Sequence, residues 1–381
     1  MLIKRPMYNA QMECVAIEII ADEQAGKHFD LFEHFATLLR NTEQNLPLFV
    51  PYALKLLVEK ADSPTAHSFV LKLHAADIDK ECPRQELETS PYQIALLIDT
   101  PSQLAWLNFA DYIALSEQLI LVANVSNVVK YSQARHHKVI AYDLSHQDHF
   151  ERCKRMAMDY FCGDFIFHPA DRENQDVAAN QLNLMELISR LQQPDTDLDS
   201  VVELIQNDPM LSYQLLKVVN SAAFSGYQAI ESIQQAVMRL GVLNLKNWVT
   251  VLSMTKVSNK PIEIIESGLI RAYMAKKLAE TQPELCAQSA YTAGLLSVLD
   301  SLMDTPMARL IEKITLADEI KIALLSHKGA LGELLATVIR YEEGHLNNQE
   351  EVTYFGIDLE KVYIDCIEQV AQSKKAMNEM S

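Results

Sequence analysis

Seven short runs of Val, Ile, Leu and aromatic residues punctuate the first 168 residues, and no convincing strand follows them. They are CVAIEII (14–20), LFVPY (48–52), SFVLKL (68–73), YQIALLI (92–98), DYIAL (111–115), KVIAY (138–142) and DFIFH (164–168). Apolar runs of this length are the pattern of strands buried on both faces. Helical stretches lie between them. FDLFEHFATLLR (29–40), for example, gathers Leu31, Phe32, Phe35, Leu38 and Leu39 on one side. Strand–helix alternation with short links predicts parallel strands in a barrel or an open α/β sheet, and seven of them favour closure into an α/β barrel.

Near residue 170 the pattern changes. HPADRENQDVAANQ (168–181) is polar and reads as a linker. From about 182 the apolar residues recur at steps of three and four, and no strand is expected. Ser200 and Glu203 have capping-box spacing ahead of VVELIQ (201–206), which should stop at Asp208–Pro209. Pro209 can open the next helix, with Leu211, Leu215, Val218 and Val219 as its face. Ile230, Ile233, Val237 and Leu240 continue the pattern, and Gly241 is placed as a C-cap. The expected organisation is an α/β barrel domain over 1–170 and an all-α domain over 180–381.

Composition narrows the function classes. Lys plus Arg number 33 against 51 Asp plus Glu, a net charge of −18. A phosphate backbone is held by Lys and Arg, so non-specific nucleic-acid binding is not expected. Glycine numbers only 10 of 381 residues, which argues against glycine-rich phosphate loops. The six cysteines, at 14, 82, 153, 162, 286 and 366, form no CxxC pair and read as reduced thiols. There is no signal-peptide pattern at the N-terminus and no apolar stretch of about 18 residues. A cytoplasmic protein without membrane insertion is expected.

Two segments carry a family resemblance in the first half: RPMYNAQMECVAIEII at the start, and VIAYDLSHQDHF with FCGDFIFHP at the end. Residues 1–170 resemble an EAL domain, the cyclic di-GMP phosphodiesterase module, in a shortened TIM-barrel-like form. The resemblance implies two metal ions, held by carboxylates and an Asn, that activate a water. Matched residue by residue, the motif glutamate is Glu18. The Asn position is taken by Pro51 and the next Glu position by Lys72. The paired Asp falls on Ile98 and Asp99, which leaves one carboxylate. A Lys-x-Asp falls on Ala114–Leu115–Ser116. A glutamate falls on Tyr142, with a second near Ser145, and a Gln on Cys162. Glu18 and Asp99 are thus vestigial, while Pro51, Lys72, Ile98, Ala114, Ser116, Tyr142 and Cys162 mark lost positions. Glu18 is expected to point into a polar barrel mouth or to pair with a cation such as Lys72.

In the second half, NDPMLSYQLLKVVNSAAF and SIQQAVMRLGVLNLKNW carry a resemblance to the HDOD domain, a helical relative of HD phosphohydrolases. The His–Asp doublet of that larger family falls on Ser297–Val298, and Val298 cannot bind a metal. His327 and His345 lack paired ligands. Asn220, Ser221 and Phe224 are either helix-end and core residues or an interaction corner.

Asp195, Asp197 and Asp199 lack the Gly and Glu of a calcium loop and suit helix capping better. His136–His137 have no carboxylate at metal spacing. No catalytic residue, metal or cofactor is expected. The expectation is a bacterial signalling protein that is not an enzyme and acts by contacting other signalling proteins, with homo-oligomerisation left open. The alternatives are a cyclic di-GMP sensor that binds without hydrolysis, with Arg5 as a phosphate contact, and a weak phosphodiesterase.

Overall fold

A computed structural model describes residues 1–21, 29–43, 46–61, 69–80, 83–168, 179–193, 198–220, 230, 232–257, 260–345 and 353–378. The chain divides into two compact units, Met1–Ala170 and Asp171–Ser381.

The first unit is a closed eight-stranded barrel. Its strands are β1 (Leu2–Tyr8), β2 (Cys14–Ala21), β3 (Leu48–Pro51), β4 (Phe69–His74), β5 (Gln93–Ile98), β6 (Tyr112–Ser116), β7 (Lys138–Tyr142) and β8 (Tyr160–Cys162). From β2 to β8 all neighbours are parallel, as expected. β1 departs from this and is antiparallel to both β2 and β8. Two sequence expectations are corrected. LIKRPMY is a strand, although Lys4, Arg5 and Pro6 interrupt its apolar pattern. DFIFH is not a strand. β8 ends at Cys162, Gly163 follows at φ 139°, and Asp164–Ile166 turn as a short 3₁₀ helix. An alanine at Gly163 would bring Cβ to 2.3 Å from the Leu144 backbone, so this turn requires glycine.

Alternation along the strands fills the interior. Met7, Ala16, Phe49, Val70, Ala95, Leu97, Tyr112, Ala114, Ile140, Tyr142 and Cys162 form one buried cluster. Two residues beyond Ala16 and Val70 on the same faces come Glu18 and Lys72. The period of two therefore places a charged layer on top of an apolar one, toward the C-terminal ends of the parallel strands.

The second unit is helical. Its principal helices include Ala179–Gln192, Leu198–Gln206, Pro209–Asn220, Ile262–Ala279, Ala287–Leu296, Gly329–Glu342 and Leu359–Asn378. Asp208 caps the helix that Pro209 opens, its carboxylate accepting from Leu211 N–H at 2.9 Å. Ser200 lies inside its helix, which begins at Leu198, two residues earlier than expected for an N-cap at Ser200. Gly241, at φ 76° and ψ 158°, breaks Ile233–Val257 into two helices and ends the first of them, as expected. A two-stranded hairpin, Thr353–Tyr354 with Ile357–Asp358, also departs from the strand-free expectation. Among the described residues, no single helix is long and apolar enough to cross a membrane.

Candidate functional site

The charged layer of the barrel centres on Glu18, which is 1% exposed. Lys72 Nζ forms an ion pair with Glu18 Oε1. The Tyr142 hydroxyl donates to the same oxygen at 2.7 Å, and Cys162 Sγ donates to Oε2 at 3.3 Å. Arg5 Nη1 stands 3.7 Å from Oε2 and 2.7 Å from Asp143 Oδ1. Lys72 Nζ also donates to the Tyr142 hydroxyl at 2.8 Å. Strand register explains the convergence, since Arg5 lies opposite Glu18, Pro51 opposite Lys72 and Ser116 opposite Tyr142.

Burial of the Glu18 carboxylate works against its charge. Lys72 and Arg5, with hydrogen bonds from Lys72 and Tyr142, outweigh that burial and hold the acid down at about 2. Burial, and then the charge of Glu18, pushes the Tyr142 hydroxyl and the Cys162 thiol well up. Burial also raises Asp143, against the pull of Arg5.

The two metal ions implied by the EAL resemblance do not fit these residues. A divalent ion on Glu18 would share the carboxylate with the Lys72 ammonium, and like charges a few ångströms apart repel strongly away from water. Pro51 offers no side-chain oxygen. Asp99 is 40% exposed and faces His74 Nδ1 at 3.4 Å rather than Glu18. Ile98 and Ala114 are buried and apolar. Ser116 caps the following helix, its Oγ accepting from Leu119 N–H at 3.4 Å.

In the helical unit, Ser297 donates to Gly294 O at 2.7 Å, and Val298 is fully buried. The room for Val298 comes from Gly268, where a Cβ would meet Val298 Cγ2 at 2.8 Å. The buried Arg271 guanidinium reaches Ser297 Oγ at 3.5 Å, Glu342 Oε2 at 2.7 Å and Glu343 Oε1 at 3.3 Å. Burial opposes its charge, but the two carboxylates raise it above the ordinary arginine value. Asn220 commits its amide to backbone, donating to Leu216 O and Ile230 O and accepting from Ile230 N–H. Ser221, Phe224, Asp195 and Asp197 lie outside the described residues.

The family model for the HDOD domain matches residues 181–317. Residues 181–317 form an HDOD domain. Two curated relatives extend the comparison beyond it. Cyclic di-GMP phosphodiesterase CdgJ of Vibrio cholerae is 29% identical over 74% of this chain and 67% of its own length. The uncharacterized protein YuxH of Bacillus subtilis is 30% identical over 58% of this chain and 54% of its own. The N-terminal region is similar in structure to EAL domains. One is a standalone EAL protein from Vibrio cholerae O395 in its c-di-GMP-bound form, at 12% identity and TM-score 0.31 over 42% of this chain and 88% of that one. CdgJ overturns one expectation. The losses at the aligned positions predicted that the chain is not an enzyme, yet a relative that aligns with 74% of it at 29% identity is named a phosphodiesterase.

Outside the HDOD domain, the barrel brings together a group that the sequence reading passed over. Glu117, His146 and His149 each offer a ligand atom within 4.8 Å of the other two. The signal in the sequence is the H-x-x-H of SHQDHF, within the segment that carries the family resemblance.

Proposed function

We propose that the chain works in cyclic di-GMP signalling, with the barrel mouth as its nucleotide-facing part and the HDOD domain as a surface for other signalling proteins. The mouth cluster carries this reading. Arg5 and Lys72 stand there among Glu18, Tyr142 and Asp143, in a chain whose relative is a named cyclic di-GMP phosphodiesterase. Guanidinium and ammonium groups are what the two phosphates of a cyclic dinucleotide require. Chemistry at this mouth does not use a metal on Glu18, because Lys72 already neutralises that carboxylate. In the helical unit, Met210, Tyr213 and Met238 are more than half exposed, at 58%, 57% and 79%, which suits a protein-contacting surface.

The test is titration calorimetry of the full chain with cyclic di-GMP, paired with a chromatographic assay for linear product in Mg²⁺ or Mn²⁺. The expected result is binding or turnover that Arg5→Ala lowers at least tenfold. Neither binding nor turnover in the unmutated chain would overturn the nucleotide reading.

A further inference from the structure

We propose that Glu117, His146 and His149 bind a divalent transition-metal cation on the C-terminal face of the barrel, a site separate from Glu18. Two imidazoles and one carboxylate are a donor set for Zn²⁺ and its neighbours in the first row, and they leave coordination positions for water or substrate. The fold brings them together from distant sequence. Glu117 immediately follows Ser116 at the end of β6, and Ser116 lies opposite Tyr142 at the end of β7. His146 and His149 come from the start of the helix that follows β7, Gln147–Arg155, with His146 as its N-cap.

The group is already held in place. Ser145 grips the Glu117 carboxylate, its N–H donating to Oε1 at 2.8 Å and its hydroxyl to Oε2 at 2.7 Å. With the Ser145 hydroxyl donating to Glu117, its oxygen accepts from His146 Nδ1 at 2.7 Å, which leaves His146 Nε2 with its lone pair free. His168 stacks on the His146 ring at 5.8 Å and fixes its plane. His149 Nδ1 lies 2.6 Å from Glu117 Oε1, so a proton bridges them, and a metal ion would take that proton's place. Ligand atoms around tetrahedral zinc are about 3.4 Å apart, so the trio needs only small side-chain rotations to close on an ion. Glu117 and His149 are 16% and 27% exposed, and His146 faces solvent, which gives an ion a way in.

The site stands apart from the nucleotide reading, because its probe is the metal alone. Untagged, EDTA-treated full-length protein is titrated with Zn²⁺ by calorimetry and with Co²⁺ by visible absorption. One ion per chain is expected, with cobalt bands of a four- or five-coordinate nitrogen and oxygen site and no thiolate charge-transfer band. His149→Ala and His146→Ala should each weaken binding at least tenfold while the thermal melt stays in place. Glu117→Gln, which keeps side-chain volume, should do the same and serves if a histidine variant fails to fold. The proposal is overturned if no ion binds more tightly than about 100 μM, at roughly 5.5 kcal/mol. It is also overturned if the His146→Ala/His149→Ala double variant binds as well as the unmutated chain, or if binding follows the exposed Cys286 thiol and is lost in Cys286→Ser.

Discussion

The two places where family resemblance implies a metal are built in opposite ways. The barrel holds a buried carboxylate there, Glu18, with Lys72 from β4 and Arg5 from β1 to neutralise it. The HDOD domain has no carboxylate at Ser297–Val298. It packs Val298 into space that Gly268 leaves open, and its nearby Arg271 is committed to Glu342 and Glu343. The contrast follows from solvation. A buried carboxylate that stays must be matched by a cation and hydrogen bonds, whereas a removed one needs only volume to replace it.

The comparison can be broken at its ion pairs first. Arg271→Leu strands the buried Glu342 carboxylate, and should cost about 3–5 kcal/mol in denaturant unfolding. Lys72→Met should cost less, about 2–4 kcal/mol, because Arg5 stays 3.7 Å from Glu18. Adding Glu18→Gln to Lys72→Met should recover most of that loss, since the uncompensated charge goes with it. Equal costs for the two single variants would remove the distinction drawn here.

Acid sharpens the same contrast. Glu18 has its folded pKa depressed from 4.5 to about 2. Its contribution is therefore complete above about pH 4.5 and is lost as pH falls toward 2, and it amounts to about 3 kcal/mol. The difference in stability between the unmutated chain and Glu18→Gln, followed over that window, should shrink with falling pH. A difference independent of pH would contradict the pairing. The smallest effect belongs to the packed position. Val298→Ala should cost about 1–2 kcal/mol. Gly268→Ala should be better tolerated in that background than alone, because its new Cβ meets Val298 Cγ2.

Much of this architecture was legible in the sequence, and the misses have physical causes. Strands β2 to β7 announced themselves because burial on both faces demands continuous apolar runs. β1 did not, because Arg5 faces the charged mouth and Pro6 breaks the pattern. β8 is only three residues long, and the apolar run after it belongs to a turn fixed by Gly163. The pairing of Glu18 with Lys72 could be anticipated from strand periodicity, since both fall on inward positions. The roles of Tyr142 and Cys162 as donors to Glu18 could not, because contacts across a closed barrel depend on register that sequence spacing does not reveal. The same holds for Glu117, which lies 28 residues before Ser145 and meets it only through the pairing of β6 with β7.

The most direct test of the central claim, that Lys72 rather than a metal ion holds Glu18, is an NMR titration of the Glu18 side-chain carboxyl carbon with Mg²⁺ present. The account predicts a midpoint near 2, far below the ordinary 4.5, and unmoved by the metal. A midpoint at or above 4.5, or one that Mg²⁺ displaces, would contradict it.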